Sequence, residues 1–471
     1  MKTKINRRDF LRIAALGTAS ALAASCGGFA PASDAEAEPS GLFQPEAFSR
    51  EAEILVLGAG ISGLAAARAL KDKGRKVVIL EARDRIGGRI WTDTSLGVPL
   101  DLGASWIHGV NGNPIAELAK QFGAKTVVTD FDNSLLYDFD GREISDAEYA
   151  EIEDLFESVY AEVEEMREDA DKDMPLQRAF DEVLSRRNLS AEELRRFGFY
   201  VQQATSLEYG ADPDGLSLRE WDQDEVFGGG DVVFPNGYSQ ITAGLAKGLD
   251  IRLGVKVAAV SYGADGVEAE TSAGVFAAEK AVVTFPLGVL KQAGVRFNPP
   301  LPAAKQSAID RLAMGVLNKV YLKFSEIFWD ETVETIGYLS QRTGEWSDWL
   351  SFVPYVGAPV LMAFHGGAKG FALEELSDDE ITADAMKTLR VMFGGNIPEP
   401  EGVLVTRWGK DPFAFGAYSH IPPFASGDDY DALFEPIGGV LFFAGEAAHR
   451  RYPATVHGAY LSGAAAAKEI G

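Results

Sequence analysis

Three glycines in a Gly-x-Gly-x-x-Gly pattern, Gly58, Gly60 and Gly63, follow the apolar run Ile54-Leu-Val-Leu57 and open a stretch of helix formers from Ile61 to about Lys73. A strand, a tight turn and a helix N-terminus are expected in that order. Gly58 permits the turn, Gly60 lets a pyrophosphate approach the backbone, and Gly63 allows helix and strand to pack closely. Gly74 is placed to end the helix, and Lys76-Val-Val-Ile-Leu80 reads as a second strand. Glu81 stands at its end, 23 residues after Gly58, where a carboxylate takes ribose hydroxyls and disfavours a 2′-phosphate. The chemistry on offer is dinucleotide binding. A second glycine pair, Gly87-Gly88, again suits close backbone approach, and Arg89 behind it can neutralise a phosphate. Lys319 interrupts the apolar strand Val316-Leu-Asn-Lys-Val-Tyr-Leu322, where a lysine is costly to bury. It either serves a reaction or snorkels to the surface as a structural residue.

The elements around these residues alternate in type. From Asp146 to Asp173 the chain is very acidic, yet Tyr149, Ile152, Leu155, Phe156, Val159, Tyr160, Val163 and Met166 recur at helical spacing, so an amphipathic helix with a solvated charged face is expected. Alternating runs at Ile251–Val260, Val267–Glu270 and Val275–Thr284 predict strands joined by glycine-containing turns. Val316–Phe324, Thr335–Leu339, Trp349–Val353 and Val360–Phe364 suggest a second, mostly antiparallel sheet, and Ser377 caps a helix running to Phe393.

At 471 residues the chain can bury a large core, and its composition is that of a globular protein. A net charge of −26 argues against a nucleic-acid footprint. Asn6-Arg7-Arg8-Asp9-Phe10-Leu11 has the twin-arginine pattern, and the apolar run Ile13–Ser25 is too short to span a bilayer, so Tat export to the periplasm is expected. The single cysteine, Cys26, follows Leu22-Ala-Ala-Ser25. That pattern fits a lipoprotein cleavage box, with lipidation of Cys26; cleavage at a site such as Ala35-Glu36-Ala37 is the alternative. Residues 1–45 are thus read as signal peptide and tether, and the remainder has no cysteine for disulfides, iron–sulfur clusters or a thiol-linked cofactor. His449 and His457 lack a carboxylate at ligand spacing, so no metal site is expected.

The run Glu81-Ala-Arg83-Asp-Arg-Ile-Gly87-Gly88-Arg89 resembles the segment along the FAD pyrophosphate in glutathione-reductase-like flavoproteins. The C-terminal run, Phe442-Phe-Ala-Gly-Glu446 through Arg450-Arg-Tyr-Pro-Ala-Thr455-Val456-His-Gly-Ala-Tyr460, resembles the flavin-covering motif of the flavin amine oxidases. Asp101-Leu-Gly103-Ala104-Ser105-Trp106-Ile-His108 and Ser206-Leu-Glu208-Tyr209 with Trp221-Asp222-Gln223-Asp224 look like the polyamine oxidases. Arg407-Trp408-Gly-Lys-Asp411 with Gly416-Ala417-Tyr418 is similar to those enzymes and to the lysine-specific histone demethylases. Together these matches run from about Glu53 to Gly471.

The resemblance implies an α/β fold: a glutathione-reductase-like FAD-binding domain (51–120, 232–300 and 436–471) and an α+β substrate-binding domain (121–231 and 301–435). It implies FAD as cofactor, non-covalent because Ala417 stands where monoamine oxidases carry their flavin-linking cysteine. Cofactor contacts are implied for Gly58, Gly60, Gly63, Glu81, Arg83, Gly88, Arg89, Gly103, Ala104, Ser105, Trp106, Val257, Trp408, Glu446, Thr455 and Val456. Glu446 would accept hydrogen bonds from ribityl or phosphate-facing groups. The Thr455–Val456 backbone would meet the pyrimidine end of the ring at a helix N-terminus.

Lys319 would hold a water against the flavin N5. Tyr418 would form one wall of an aromatic slot, its alternative being a core tyrosine. Thr455 stands where monoamine oxidases place the opposing tyrosine, a departure that favours longer, polyamine-like chains. His108 would face the substrate tunnel, a structural histidine being the other reading, and Glu208, Asp222 and Asp224 either bind distal ammonium groups or cap and solvate a loop.

The implied activity is oxidation of an amine, such as spermidine or spermine, by oxygen to an imine or aldehyde with hydrogen peroxide. A monoamine, nicotine-like or L-amino-acid oxidase, or an FAD-binding periplasmic module without turnover, are the alternatives.

Overall fold

The structure, a computed structural model, describes residues 52–471. The twin-arginine segment, its apolar run, Cys26 and the tether lie outside the described residues. Strand Ile54–Leu57 is buried throughout, and the chain turns at Gly58, whose φ of +115° an L side chain would rarely adopt, into helix Ile61–Asp72. Strand Val77–Leu80 returns beside the first strand in parallel register.

Five parallel strands make the first sheet, in the order Leu441–Phe443, Lys280–Val283, Ile54–Leu57, Val77–Leu80, Asp250–Arg252. Side chains alternate across it. Ile54, Val56, Ile79, Val282 and Phe442 face a helical layer that includes Ile61–Asp72 and Val456–Ile470. Leu55, Leu57, Val78, Leu80, Val283 and Phe443 face a four-stranded sheet through Val257, Val260, Val267 and Ala269.

The sequence expectation for Ile251–Val260 is corrected here. It holds two strands in different sheets, Asp250–Arg252 in the parallel sheet and Val257–Gly263 in the four-stranded one, broken at Gly254 with φ +71°. Val275–Thr284 divides likewise into Gly274–Ala278 and Lys280–Val283. Period-two alternation marks a strand without saying which sheet takes it.

The two ends of the chain meet along one seam. A Cβ on Gly63 would stand 2.1 Å from the Gly58 carbonyl oxygen, and one on Gly463 would stand 2.1 Å from that of Ser62. Helices Ile61–Asp72 and Val456–Ile470 therefore approach at backbone distance, with Ala66, Ala459, Ala466 and Ala467 filling the remaining space.

The second sheet has six strands in the order Gly402–Val405, Leu317–Lys323, Val360–Gly366, Asp348–Ser351, Thr335–Leu339, Ser134–Asp138. Only the last pair is parallel. Trp349–Val353 was expected as one strand; it is a strand to Ser351 and a short helix from Val353, where Pro354 cannot donate to a ladder. Val320, Leu322 and Phe324 pack under helix Asp378–Phe393, capped by Ser377 as expected, so the odd-numbered residues Lys319 and Tyr321 face the other way. The acidic segment forms helix Asp146–Asp169, whose buried Ile152, Phe156, Val159, Tyr160 and Val163 lie on the expected face.

Because the seam leaves no room for a side chain, Gly463→Ala should lose at least ~1–3 kcal/mol by overpacking. Gly395→Ala, whose Cβ would meet nothing within 4 Å and whose backbone needs no positive φ, should cost less. Denaturant unfolding of both variants beside the parent checks the ranking.

Candidate active site

One continuous cavity of about 770 Å³ lies between the two sheets, and every residue singled out from the sequence except Gly63 lines it. At one end are the fingerprint loop, Glu81 and Val257; further along stand Arg89, Trp106, Lys319, Trp408 and Tyr418, and the N-terminus of helix Val456–Ile470.

The residues at the first end fit FAD. A Cβ on Gly60 would point into open space, and one on Gly88 would reach only the Gly60 Cα at 3.5 Å, so two bare backbones form a cradle. Glu81 is buried and accepts from the Ala59 amide at 2.7 Å and the Arg83 amide at 2.8 Å. Each oxygen keeps a lone pair for a ribose hydroxyl. Val257 offers an apolar wall, and the Ala104 amide is held on the Arg89 carbonyl at 3.1 Å.

Contacts between distant segments fix the charged groups. Arg83 makes a bidentate pair with Asp411 (3.0 and 2.6 Å), and its guanidinium lies 5.1 Å from the Phe413 ring centre. Arg89 bridges the Ala417 carbonyl at 2.9 Å and Glu446 at 2.8 Å. The Glu446 carboxylate lines the cavity and, besides Arg89, accepts from Ser419 Oγ (2.6 Å) and from the amides of Ser419 (3.3 Å) and Ala454 (3.2 Å). It orders the protein around the cavity as an internal hub.

The Thr455 hydroxyl is also engaged. It caps helix Val456–Ile470 by accepting from the Gly458 amide at 2.9 Å and donates to the Tyr452 carbonyl at 2.9 Å. Only its methyl group and backbone are left to shape the cavity. Tyr418 donates to the Leu207 carbonyl at 3.3 Å, and Trp408 Nε1 to the Leu102 carbonyl at 3.0 Å, so both rings are fixed as walls. His108 is half exposed, its Nδ1 3.4 Å from Asp231, with its ring stacked 6.3 Å from that of Trp106.

Lys319 is almost wholly buried. Its Nζ donates to the carbonyls of Asp101 (2.9 Å) and Gly103 (2.6 Å) and to Ser105 Oγ. Burial pushes its pKa down to about 7, opposed by the Asp101 charge. Asp101, also buried, accepts from Thr92 Oγ1 at 2.5 Å and the Tyr238 amide at 3.0 Å, yet burial drives it up to about 6.

Sequence reasoning missed the row beside Lys319. In register, Lys319 opposes Phe364, and Gly337 opposes Asp348 on the strand that lies between them. Phe364, Asp348, Leu350 and Thr335 all line the cavity, with the Trp106 ring tilted about 40° to those of Phe364 at 6.0 Å and Phe131 at 6.1 Å. No spacing in the chain signals this row, because only strand register brings it together.

Elsewhere in the wall Glu208, Asp222 and Asp224 converge. Asp224 is pushed up to about 7 by burial and by the charges of Glu208 and Asp222, while Asp222 pairs with Arg167 at 2.6 Å. Among the described residues no group of three or more His, Cys, Asp or Glu could hold a metal ion.

The buried pair makes stability depend on pH with two opposite signs. Asp101 holds its proton more tightly folded than unfolded, so its contribution falls as pH rises from about 4 to about 6. Lys319 has lost its proton in the fold while the unfolded chain still binds one, so its contribution rises from about pH 7 to about 10.5. Lys319→Met should remove the alkaline rise, read as the unfolding midpoint against pH beside the parent.

Comparison with known proteins agrees with this site. Residues 61–471 match the family described as flavin containing amine oxidoreductase. The chain is 39% identical over 432 residues to polyamine oxidase 4 of Oryza sativa subsp. japonica, covering 88% of each chain. It is 37% identical over 440 residues to polyamine oxidase 2 of Arabidopsis thaliana, covering 89% of this chain and 88% of the relative. Lysine-specific histone demethylase 1 homolog 1 of Oryza sativa subsp. japonica is 37% identical over 435 residues, 87% of this chain and 51% of that protein. Among solved structures, putrescine oxidase bound to putrescine shares the fold with a TM-score of 0.72 at 22% identity, covering 89% of this chain and 98% of that one. The chain belongs to the flavin-containing amine oxidoreductases and is an FAD-dependent amine oxidase.

Proposed function

We propose that the substrate is a polyamine, a chain with ammonium groups on both sides of, or beyond, the reacting nitrogen. The observation that carries this reading is the placement of carboxylates in the cavity wall: Glu208 and Asp224 in one part, beside Asp222 already paired with Arg167, and Asp348 in another. Trp106, Phe131 and Phe364 supply apolar lining near Asp348 for the intervening methylenes. The polyamine oxidases among the relatives support the same reading.

Held by the cradle at Gly60 and Gly88 and by Glu81, FAD would supply hydride acceptance from the carbon beside the amine nitrogen, so that the amine would become a hydrolysable imine and oxygen, as final oxidant, hydrogen peroxide. The chain supplies orientation. Tyr418 and Trp408 are fixed walls, the carboxylates hold distal ammonium groups, and the apolar lining excludes water from the methylenes. No side chain need act as base, since the amine can bind already deprotonated.

An amino-acid substrate is disfavoured by the cavity's own arginines. Arg83, Arg89 and Arg450 line it, and they are paired with Asp411, with Glu446, and with Asp428 and Asp431. We further propose the domain division 51–120, 232–300 and 436–471 for FAD and 121–231 and 301–435 for substrate. It is supported by every strand of the parallel sheet falling in the first set and every strand of the six-stranded sheet in the second. Export to the periplasm by the Tat route, with Cys26 as a possible lipid site, belongs to the same proposal and rests on the N-terminal sequence.

Peroxide release with spermidine, spermine, phenethylamine and L-amino acids tests the substrate class, and preference for phenethylamine or an amino acid would refute it. Asp224→Asn removes a charge-assisted bond of about 1.5–3 kcal/mol, so KM for the preferred polyamine should rise about 10- to 100-fold with little change in kcat. Since Asp224 ionises near pH 7, polyamine KM in the parent should also fall as pH rises through that value, and the variant should lose this dependence.

A further inference from the structure

Lys319 is surrounded on the protein side in a way that leaves it one outlet. An ammonium has three N–H donors and no acceptor, and three protein acceptors meet Nζ: the Asp101 carbonyl, the Gly103 carbonyl and Ser105 Oγ. The Asp101 carbonyl also accepts from Tyr321 Oη at 2.7 Å, so both of its lone pairs are engaged. The Trp106 and Phe364 rings close the remaining sides, at 5.7 and 5.9 Å from Nζ. Asp101 is the charged group that acts on Lys319, and its carboxylate is tied to Thr92 and Tyr238.

Of the three partners, Ser105 alone is both donor and acceptor. While Lys319 is an ammonium, Ser105 Oγ accepts from it. Among the described residues the hydroxyl proton then has the Asp101 and Gly103 carbonyls at 3.4 Å, a poor fit for an O–H donor, and the Tyr321 hydroxyl, which itself donates to the Asp101 carbonyl. Ser105 is buried and lines the cavity, so that proton can be presented to a group there. Once Lys319 is neutral, its two N–H stay on the carbonyls and its lone pair takes the Ser105 proton. Loss of one proton reverses the Lys319–Ser105 hydrogen bond.

We propose that Ser105 is the proton carrier through which Lys319 supplies the proton needed to turn dioxygen into hydrogen peroxide. The inference rests on FAD-dependent amine oxidation with oxygen as oxidant. In that half-reaction two electrons and one proton pass from the reduced cofactor to dioxygen, and one more proton must reach the second oxygen atom. The Ser105 O–H bond breaks as the new O–H bond of peroxide forms. The Lys319 N–H bond breaks as Ser105 regains its proton, and solvent later restores the ammonium. Lys319 thus acts at one remove, and Ser105 is the group that meets the reacting oxygen.

The test compares the holoenzyme with Ser105→Ala, Ser105→Thr and Lys319→Met. Each is reduced anaerobically, once with spermidine and once with stoichiometric dithionite, then mixed with oxygenated buffer across pH 6–10. Ser105→Ala should slow reoxidation on the order of 100-fold, slow spermidine reduction much less, and lose the parent's decline in reoxidation as Lys319 deprotonates. Ser105→Thr should restore both rate and pH profile. The alkaline rise in unfolding midpoint should persist in Ser105→Ala and vanish in Lys319→Met, showing without reference to turnover that Lys319 still titrates in its burial site.

Reoxidation of Ser105→Ala at the parent rate, equal slowing of reduction and reoxidation, or loss of the alkaline stability rise in Ser105→Ala would each overturn the assignment. Because dithionite reduces the cofactor without an amine, a parent enzyme that spermidine fails to reduce would refute the polyamine reading alone, and the dithionite arm would still decide on Ser105.

Discussion

The backbone contact between the first and last helices is the constraint on which the cavity depends. Gly463 lies where any side chain would overlap the Ser62 carbonyl of the first helix, and Gly63 closes the fingerprint turn against the Gly58 carbonyl in the same way. The fingerprint loop and helix Val456–Ile470 are thereby held against one another although they stand at opposite ends of the chain. Strands Ile54–Leu57, Lys280–Val283 and Leu441–Phe443 lie side by side under this seam, so their C-terminal edges open together toward one crevice. A glycine fingerprint and a C-terminal helix N-terminus become one binding surface only through that packing.

Charged groups then lock the second sheet's segments onto this base. Arg83 reaches Asp411, and Arg89, paired with Glu446 beside the parallel sheet, also reaches the Ala417 carbonyl; both cross-ties span 328 residues of sequence. Buried ion pairs of this kind add little net stability, since desolvation offsets the attraction. Their geometric effect is larger: they place the loop carrying Trp408, Ala417 and Tyr418 over the same cavity as the fingerprint. Lys319 meets Asp101, Gly103 and Ser105 across the same junction, so a buried amine of lowered basicity is also a tie between the two sheets.

Much of the fold could be read from local pattern. The first strand, turn and helix, the capped helix ending at Phe393 and strand Thr335–Leu339 have the expected extents to within a residue. Strong periodicity and cap residues are local signals and survive folding. Errors came where one apolar run serves two partners, as at Ile251–Val260, or where a proline turns a strand into a helix, as at Val353–Val356. Strands Ser134–Asp138 and Gly402–Val405, the edges of the six-stranded sheet, carried no signal strong enough to be singled out.

Residue types and short spacings alone pointed to a dinucleotide cofactor, with Glu81 placed at the end of the second strand. They also determined that a lysine stands in an apolar strand and that cysteine chemistry is absent from the folded part. Which atoms those residues meet was decided by tertiary structure. Glu446 and the Thr455 hydroxyl are engaged within the protein, Lys319 is enclosed by three acceptors, and Asp348 lies one strand beyond Phe364 in the row that begins at Lys319. The reason is physical. Cofactor fingerprints use backbone conformation and so leave a local trace. The acidity of a buried amine and the position of a distant carboxylate come from desolvation and strand register, which exist only after the chain has folded.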